Sequence, residues 1–469
     1  MKLRLFVAAT AVAALVGCAN QRSEAQSASS SSQPKAAAAR YTPPEDPYPS
    51  TYRPYPSVPT AITGATVFDG EGRRIENGTV VMVDGRIQAI GGPDTAIPEG
   101  ATRIDGTGRW VTPGIIDNHS HLGDYPSPGV EAHSDGNEAT NPVRPEVWAE
   151  HSVWPQDPGF TRALANGGVT TLQVLPGSAN LFGGRSVVLR NVPARTVQGM
   201  RFPGARRGLK MACGENPKRV YGSRNTMPQT RMGNVAVMRS TWLRAIEYRE
   251  RRARDPNTPR DLQMDTLVEV LNGDILVHNH CYRADEMAIM LDMAREFGFR
   301  IASFHHAVEA YKIPDLLRAS GTCAAVWADW WGFKMEAYDA INENAPLVHA
   351  GGACTIIHSD DANGIQPLNQ EAAKALADGR RMGLNISDEE AWTWLSLNPA
   401  RSLGIENETG SLRIGKRADV VMWNGNPYSV YTRPQRVWID GALMYDMNNP
   451  RLRPVTDFEL GQPGEGDVK

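Results

Sequence analysis

Residues 110–121 read WVTPGIIDNHSH, an apolar run that ends in two histidines one residue apart. The apolar residues predict a buried strand, and successive side chains of a strand alternate between its two faces. His119 and His121 therefore point the same way at the end of one strand, where two imidazoles can close on a single metal ion. Two further tight pairs occur later in the chain: His278 with His280, and His305 with His306.

Strand-like and helix-like stretches alternate through the middle of the chain, residues 113–399. Residues 284–297, for example, repeat their apolar positions at helical spacing between two strand-like runs. Such alternation implies a parallel sheet, and about eight units favour a closed (β/α)8 barrel. An open doubly wound sheet is the alternative, but no G-x-G-x-x-G fingerprint follows a strand here.

A different pattern brackets this middle. Short strand-like runs and turns occupy residues 60–112 and return in residues 400–448. We expect these two segments to form one small β-sandwich domain built from both ends of the chain.

The first residues have the features of an export signal. Two basic residues precede an apolar stretch from Leu5 to Val16, which is too short to span a bilayer. The stretch runs into Cys18 in a pattern that resembles the lipobox of bacterial lipoproteins. We expect residues 1–18 to be a lipoprotein signal peptide and Cys18 to be lipidated, anchoring an exported, periplasmic protein to the membrane. Ala19 after the cysteine resembles the pattern for outer-membrane sorting; an ordinary cleaved signal peptide is the alternative.

Two further segments are expected to lie outside the folded part. Residues 19–59 are rich in Ser, Ala, Gln, Pro and Tyr, and they offer too little apolar surface to offset the entropy of ordering. We expect them to be a disordered linker, and residues 449–469 to be a polar tail.

Composition limits the partners and leaves the cysteines open. The formal net charge of −3 gives no electrostatic footprint for nucleic acid. Four cysteines of the globular part permit disulfides in an oxidising compartment, but each also suits a buried free thiol. These are Cys213, Cys281, Cys323 and Cys354.

Residues able to bind a metal or carry protons follow several predicted strands at the same, carboxyl-terminal end of the barrel. They are His119 and His121 on the first strand, Lys210 on the fourth, His280 on the fifth, His306 after the sixth and Asp360 after the eighth. Neutral imidazole and carboxylate suit zinc, and three or four such ligands leave a position for water. The expected cofactor is therefore one or two divalent ions, zinc first among them.

Two segments resemble the amidohydrolase superfamily, and its imidazolonepropionase-like and prolidase-like branch in particular. PGIIDNHSH at residues 113–121 is similar to the family's first-strand signature. LNPARSLGI at residues 397–405, followed by GSLRIGKRAD at residues 410–419, is similar to its closing segment. The resemblance covers roughly residues 61–446 and implies a metal-bearing barrel with a β-sandwich from both termini.

The resemblance also implies a ligand set: His119, His121, His280, His306 and Asp360. His305 is the alternative to His306, because adjacent strand residues face opposite ways and only one of them can point at the metal. On the fourth strand, Lys210 resembles the family's lysine, which becomes carboxylated and bridges two metals. Glu215 is the alternative carboxylate ligand.

The expected mechanism is attack by metal-activated hydroxide on an amide carbonyl. Asp360 would accept the proton of the water and return it to the leaving nitrogen. His306 or His278 would stabilise the developing oxyanion.

Substrate contacts are expected from side chains that follow the strands. The stretch 216–231 predicts a long basic lid, in which Tyr221 and Arg224 would hold a substrate carboxylate. The remaining candidates are Arg185 and Arg283 as carboxylate clamps and Trp327 as part of an aromatic wall. Solvated charge and core packing are the alternative explanations.

Together these patterns predict an exported, metal-dependent hydrolase of carbon–nitrogen bonds. A dipeptide or an N-acyl amino acid is the favoured substrate, and a homo-oligomer is left open. One alternative is a hydrolase or deaminase of cyclic amides or amidines; the other is a non-catalytic ligand-binding lipoprotein on a decayed enzyme scaffold.

Overall fold

The computed structural model describes residues 40–452. Its strands are β1 (Thr60–Phe68), β2 (Arg74–Val83), β3 (Arg86–Gly91), β4 (Thr102–Asp105), β5 (Trp110–Pro113), β6 (Ile115–Ser120), β7 (Val169–Val174), β8 (Phe182–Arg190), β9 (Gly208–Ala212), β10 (Leu276–His280), β11 (Ile301–His305), β12 (Cys323–Val326), β13 (Thr355–Ile357), β14 (Val420–Trp423), β15 (Pro434–Ile439) and β16 (Ala442–Asp446). Its α-helices are α1 (Pro158–Gly167), α2 (Glu215–Gly222), α3 (Arg231–Arg254), α4 (Leu262–Asn272), α5 (Ala284–Phe297), α6 (Pro314–Ser320), α7 (Asn344–Ala350), α8 (Leu368–Arg381), α9 (Asp388–Trp392) and α10 (Leu397–Ser402).

Eight strands form the predicted barrel, in the order β13-β12-β11-β10-β9-β8-β7-β6. The first and last strands are joined where the amide of Asp360, just beyond β13, donates to the carbonyl of His119, near the end of β6, at 3.0 Å. The strands pack through apolar side chains against the surrounding helices in one large core. The barrel predicted from the strand–helix alternation is confirmed.

One barrel strand departs from the expected parallel arrangement. β8 runs antiparallel to both of its neighbours, β7 and β9. The connection from β7 to β8 is a short turn, residues 175–181, without a crossover helix. A strand that returns through so short a connection must run antiparallel to the one before it.

The second sheet joins the two ends of the chain, as the sequence predicts. Its order is β16-β15-β14-β5-β1-β2-β3, with β4 paired to β1. β14 pairs antiparallel with β5, so the C-terminal strands continue the sheet that the N-terminal strands begin. This sheet has its own apolar core, which includes Val67, Val111 and Trp438.

A buried ion-pair network links the barrel to this sheet. Arg190 at the end of β8 donates to Asp419 Oδ2 at 2.7 Å, and its other terminal nitrogen lies 3.1 Å from Asp440 Oδ2. All three side chains are buried. Because an unpaired buried charge is costly, this pairing fixes how the two sheets meet.

The end of the predicted linker is attached to the fold. Residues 40–59 contain almost no helix or strand, yet Tyr52 is buried and its hydroxyl donates to Asp440 at 2.5 Å. Tyr41 similarly donates to Asp265 at 2.9 Å. Residues 40–59 therefore differ from the disordered linker we expected. The rings of Tyr41 and Tyr52 pack against apolar side chains, and their hydroxyls donate to carboxylates.

Several predicted segments lie outside the described residues. The signal peptide with Cys18, the first part of the linker and most of the polar tail are among them. Within residues 40–452, no helix is both long enough and apolar enough to cross a membrane.

The four cysteines of the globular part form two disulfides, which settles the alternative that the sequence left open. Cys213 and Cys281 follow the neighbouring strands β9 and β10 and are bonded to each other. Cys323 and Cys354 are bonded at the start of β12 and just before β13. The first of these bonds lies at the strand ends that carry the candidate site.

Candidate metal centre

Three donor atoms from opposite ends of the barrel sequence converge on one point. Nε2 of His119 and Nε2 of His121 lie 3.1 and 3.2 Å from Oδ1 of Asp360. Ligands held about 2.0–2.2 Å from one ion lie about 3–3.5 Å apart, so this spacing suits a shared metal. The Leu175 carbonyl, 2.8 Å from Nδ1 of His121, fixes the ring that would ligate.

A second group of donors adjoins the first. His119, His306 and His358 each offer a ring nitrogen, and these nitrogens lie within 4.8 Å of one another. Nε2 of His306 is 3.8 Å from Oδ2 of Asp360. Sequence analysis did not select His358, although it stands two residues before Asp360 just after a strand, which is the same spacing that marks the first histidine pair.

The backbone leaves the strand conformation where it presents two of these residues. His306 has φ of 56° and Asp360 has φ of 68°, in the left-handed region that few residues other than glycine adopt. His306 is therefore not on the opposite face from His305: the rings of both lie close to His119, with centroids 4.4 and 4.7 Å away. Only His306 presents a nitrogen toward Asp360, because His305 approaches His119 from the side of Nδ1, away from the Nε2 that faces the carboxylate.

His305 holds two other histidines by hydrogen bonds. Its Nδ1 lies 2.9 Å from Nδ1 of His119, and its Nε2 lies 3.0 Å from Nδ1 of His278. Both of its ring nitrogens are therefore engaged, which leaves His306 as the member of the pair with nitrogens directed toward Asp360. His278 is fully buried, and its position beside His305 suits a supporting role.

His280 stands at the edge of the cluster. Ser178 Oγ lies 2.9 Å from its Nδ1, and Asn216 Nδ2 lies 3.5 Å from its Nε2. Its ring centroid is 5.0 Å from that of His306. His280, at the end of β10, therefore adjoins the cluster on the side of Asn216, in the segment that follows β9.

The fourth-strand alternatives occupy different surroundings. Lys210 is fully buried within β9 and donates to the Pro176 carbonyl at 2.8 Å. Glu215 begins α2, is partly exposed, and lies 3.6 Å from the Lys334 amine. Burial lowers the pKa of Lys210 to about 7. Lys210 therefore lies inside the barrel, whereas Glu215 lies at the start of α2.

The protonation states suit metal binding. Burial holds the pKa values of His119 and His306 well below the ordinary value, so their rings are neutral. Burial alone would raise the pKa of Asp360, but His306 and His121 outweigh it, and the pKa lies below its ordinary value. Neutral imidazole and ionised carboxylate are the forms that bind cations.

Several buried ring nitrogens have no hydrogen-bond partner among residues 40–452. They include Nε2 of His119, Nδ1 of His306, Nδ1 of His358 and Nε2 of His278. Buried polar atoms are normally satisfied. Those of His119, His306 and His358 belong to the donor groups beside Asp360 and can bind a divalent ion, so the residues fit the expected cofactor.

Four of the predicted substrate-binding residues are engaged elsewhere. Arg185 lies within β8, where it donates to Glu269 at 2.8 and 3.0 Å. Tyr221 is buried and donates to Asn180, Arg224 donates to the Ala139 carbonyl, and Arg283 donates to Asp285 at 2.7 and 2.9 Å.

The stretch 216–231 is not the open lid we expected. Most of its first half belongs to α2, and Arg231 begins α3. Arg231 itself pairs with Glu286 and Glu336. Arg231 therefore links α3 to Glu286 of α5 and to Glu336, and it does not form a free substrate clamp.

Trp327, by contrast, lies against the cluster. Its ring stacks on His306 with centroids 4.5 Å apart and an angle of 24° between the planes. Its indole nitrogen donates to the Ser359 carbonyl at 3.2 Å, next to Asp360. Trp330 and Phe333 continue the aromatic surface outward, 5.7 and 5.8 Å from Trp327.

Comparison with known proteins gives a family match over most of the chain. The model of the amidohydrolase family matches residues 110–449. A crystal structure of an amidohydrolase from Thermotoga maritima MSB8 superimposes with a TM-score of 0.76 and 34% identity, covering 82% of this chain and all of that one.

Two curated relatives add to this. The amidohydrolase tasK of Hapsidospora irregularis is 32% identical over 414 residues, which are 82% of this chain but 41% of that protein, so this chain spans less than half of that relative. An imidazolonepropionase of Caulobacter vibrioides is 22% identical over 75% of this chain and 88% of its own length.

Proposed function

This chain belongs to the amidohydrolase family of hydrolases, and from that premise we propose that it cleaves carbon–nitrogen bonds at a metal centre held by His119, His121 and Asp360. The observation that carries the proposal is the convergence of those three donor atoms at 3.1–3.2 Å. The neighbouring nitrogens of His306 and His358 provide further ligands. Zinc suits this donor set best.

The chemistry then divides between the ion and the side chains. When bound, a divalent ion supplies a nucleophile at neutral pH and polarises the substrate carbonyl. Asp360 accepts the proton released from water and returns it to the leaving nitrogen, because its carboxylate is ionised and lies at the point of attack. His306 is placed to stabilise the oxyanion, and His278 orients the cluster through His305. Trp327 covers His306 and excludes water from that side.

Lys210 is proposed to hold a second ion after it is carboxylated. Its low pKa keeps a large fraction of the amine neutral near pH 7, and the neutral amine is the form that adds to carbon dioxide. The addition forms a carbon–nitrogen bond and releases one proton from the nitrogen. The resulting carbamate would extend from β9 toward the histidine cluster.

The proposed substrates are dipeptides or N-acyl amino acids. The test is to screen the zinc-reconstituted full chain against dipeptides and N-acyl amino acids, and in a second arm against cyclic amides and amidines. Hydrolysis is followed by detecting the amine or acid released. Turnover of acylated amino acids that is abolished by Asp360→Asn supports the proposal. Turnover confined to cyclic amides or amidines would favour the alternative reaction, and a folded, metal-loaded protein inactive on every arm would favour a non-catalytic binding protein.

We also propose that the protein is exported and anchored through lipid on Cys18. The two disulfides support this, since such bonds persist mainly in oxidising compartments outside the cytoplasm. Wild type expressed in a bacterium should incorporate labelled palmitate and fractionate with membranes, whereas Cys18→Ala should lose the label. Equal labelling of the two proteins would contradict the lipid anchor.

A further inference from the structure

Lys334 places a largely buried positive charge beside the metal centre. Its side chain is 18% exposed, and its amine donates to Asn216 Oδ1 at 2.8 Å. The amine has three N–H donors. Glu215 lies at 3.6 Å, within ion-pair range but outside hydrogen-bond range. Donor capacity therefore remains for a further acceptor.

Asn216 connects this charge to the cluster. Its amide oxygen accepts from Lys334, and its amide nitrogen lies 3.5 Å from Nε2 of His280. A single side-chain amide thus separates the ammonium from the histidines. An anion bound by both residues would lie at the rim of the site.

An aromatic surface built from the loops after β10 and β12 adjoins Lys334. The rings of Tyr282, Trp327 and Phe333 lie 5.8–6.5 Å from one another by centroid. The Lys334 amine stands 4.2 Å above the Tyr282 ring and 5.8 Å from Phe333.

Part of this surface is open. Phe333 is 57% exposed and Trp330 is 48% exposed, although both rings contact Trp327, which stacks on His306. Contiguous exposed apolar surface beside a polar site is typical of a ligand-binding groove. The aromatic surface begins at the metal centre and ends at a cation.

We propose that Lys334 and Asn216 bind the α-carboxylate of the substrate, while Tyr282, Trp327 and Phe333 bind an apolar or aromatic side chain of the same amino acid. This inference rests on the proposed function. It assigns the carboxylate clamp to Lys334, in the loop after β12, and Asn216, in α2, instead of to Arg185, Arg224 or Arg283. Acylated amino acids and dipeptides with an apolar C-terminal residue are then the preferred substrates.

The test compares two ligands that differ only in charge. Binding of N-acetyl-L-phenylalanine and of its C-terminal amide is measured by calorimetry on metal-loaded Asp360→Asn, with and without Lys334→Met. We expect Lys334→Met to weaken binding of the acid by about 10- to 100-fold, the range for a hydrogen bond to a charged group. The affinity for the amide should change by less than about 2-fold, because the amide carries no charge for Lys334 to bind.

Lys374→Met is the matched control, because this lysine pairs with Asp329 and Glu371 and should leave both ligands unaffected. Asn216→Asp is a second variant: it places a carboxylate beside Lys334 and should produce the same selective loss. Equal effects on acid and amide, or none on the acid, would overturn the inference.

Replacing the phenylalanine ligand by N-acetyl-L-aspartate tests the aromatic surface. N-acetyl-L-aspartate should bind more weakly than N-acetyl-L-phenylalanine to the protein that retains Lys334. Phe333→Ala should reduce this difference in affinity between the two ligands. Tighter binding of the aspartate ligand would overturn that part of the inference. Because the assay reads binding, the carboxylate subsite is tested even if the wild type hydrolyses none of the substrates, which is the result that would overturn the proposed function.

Discussion

Nε2 of His119 lies 3.1 Å from Oδ1 of Asp360, and the backbone amide of Asp360 donates to the carbonyl of the same histidine at 3.0 Å. These residues stand at the ends of β6 and β13, the first and last strands of the barrel. Closing the barrel therefore also assembles the candidate metal centre. A bound ion would stabilise the contact that closes the barrel.

Asp360→Asn should separate metal binding from turnover. The amide can still offer an oxygen to the cluster but cannot accept a proton at neutral pH. We expect turnover to fall by about 10²- to 10⁴-fold, the usual range for loss of a general base. Metal analysis of the variant should show the ion retained, and full activity in the variant would refute the assignment of the base.

His358→Asn tests the residue that the sequence did not indicate. His358 lies in the group with His119 and His306, and its Nδ1 has no hydrogen-bond partner among residues 40–452. We expect metal affinity to fall by about 10- to 100-fold, as measured by competition with a chelator. His151→Gln is the control, since that half-exposed ring stacks on Trp148 outside the cluster. Equal metal affinities in the wild type, His358→Asn and His151→Gln would show that His358 does not belong to the metal centre.

Lys210→Met and Glu215→Gln decide between the fourth-strand alternatives. If carboxylated Lys210 holds a second ion, its replacement should lower the bound metal by one equivalent and remove any dependence of activity on bicarbonate. Glu215→Gln should leave both unchanged. The opposite pattern, with metal lost only in Glu215→Gln, would assign the ligand to α2.

Arg190→Met should destabilise the fold. The substitution leaves Asp419 and Asp440 buried without their cation, and breaking such a pair costs about 3–5 kcal/mol. Adding Asp419→Asn should recover part of the loss, since one buried charge disappears with it. Urea denaturation of the three proteins provides the measurement, and a double variant less stable than Arg190→Met would contradict the reasoning.

The same pair gives a pH dependence. Burial by itself would raise the pKa of Asp419, but Arg190 more than reverses this, and the pKa lies below its ordinary value. A lowered folded-state pKa contributes stability above the unfolded value of about 3.9, and that contribution is lost as the pH falls through the folded value. In Arg190→Met the burial is unopposed, so the variant gains stability as its Asp419 protonates with falling pH, and below about pH 4 the wild type loses its own contribution. The difference in unfolding free energy between wild type and Arg190→Met should therefore narrow as the pH falls from about 7 to about 3. A gap that widens would contradict the assigned pair.

The sequence predicted the features that local patterns determine. Strand periodicity placed His119 and His121 on one face, and strand–helix alternation predicted the barrel and the common end at which Asp360 lies. β8 could not be recognised as antiparallel, because direction depends on the connection and not on the strand's own residues. The ring directions of His305 and His306 could not be predicted from strand periodicity either. His306 has a left-handed backbone conformation, which interrupts the alternation of side chains between the two faces of a strand.

Long-range partners explain the other differences. Arg185, Arg224 and Arg283 resembled free cations in the sequence, and only the fold shows that Glu269, the Ala139 carbonyl and Asp285 engage them. Lys334 was missed for the converse reason. Nothing in its immediate sequence indicates that it reaches Asn216 in α2.

Metal content of the purified full chain tests the central claim most directly. After zinc reconstitution and removal of free ion, elemental analysis should give one to two equivalents per chain for the wild type. The double variant His119→Ala/His121→Ala should retain its fold by circular dichroism and give less than one tenth of that content. A folded wild type that binds no zinc, or a double variant that binds as much as the wild type, would contradict a metal centre at His119, His121 and Asp360.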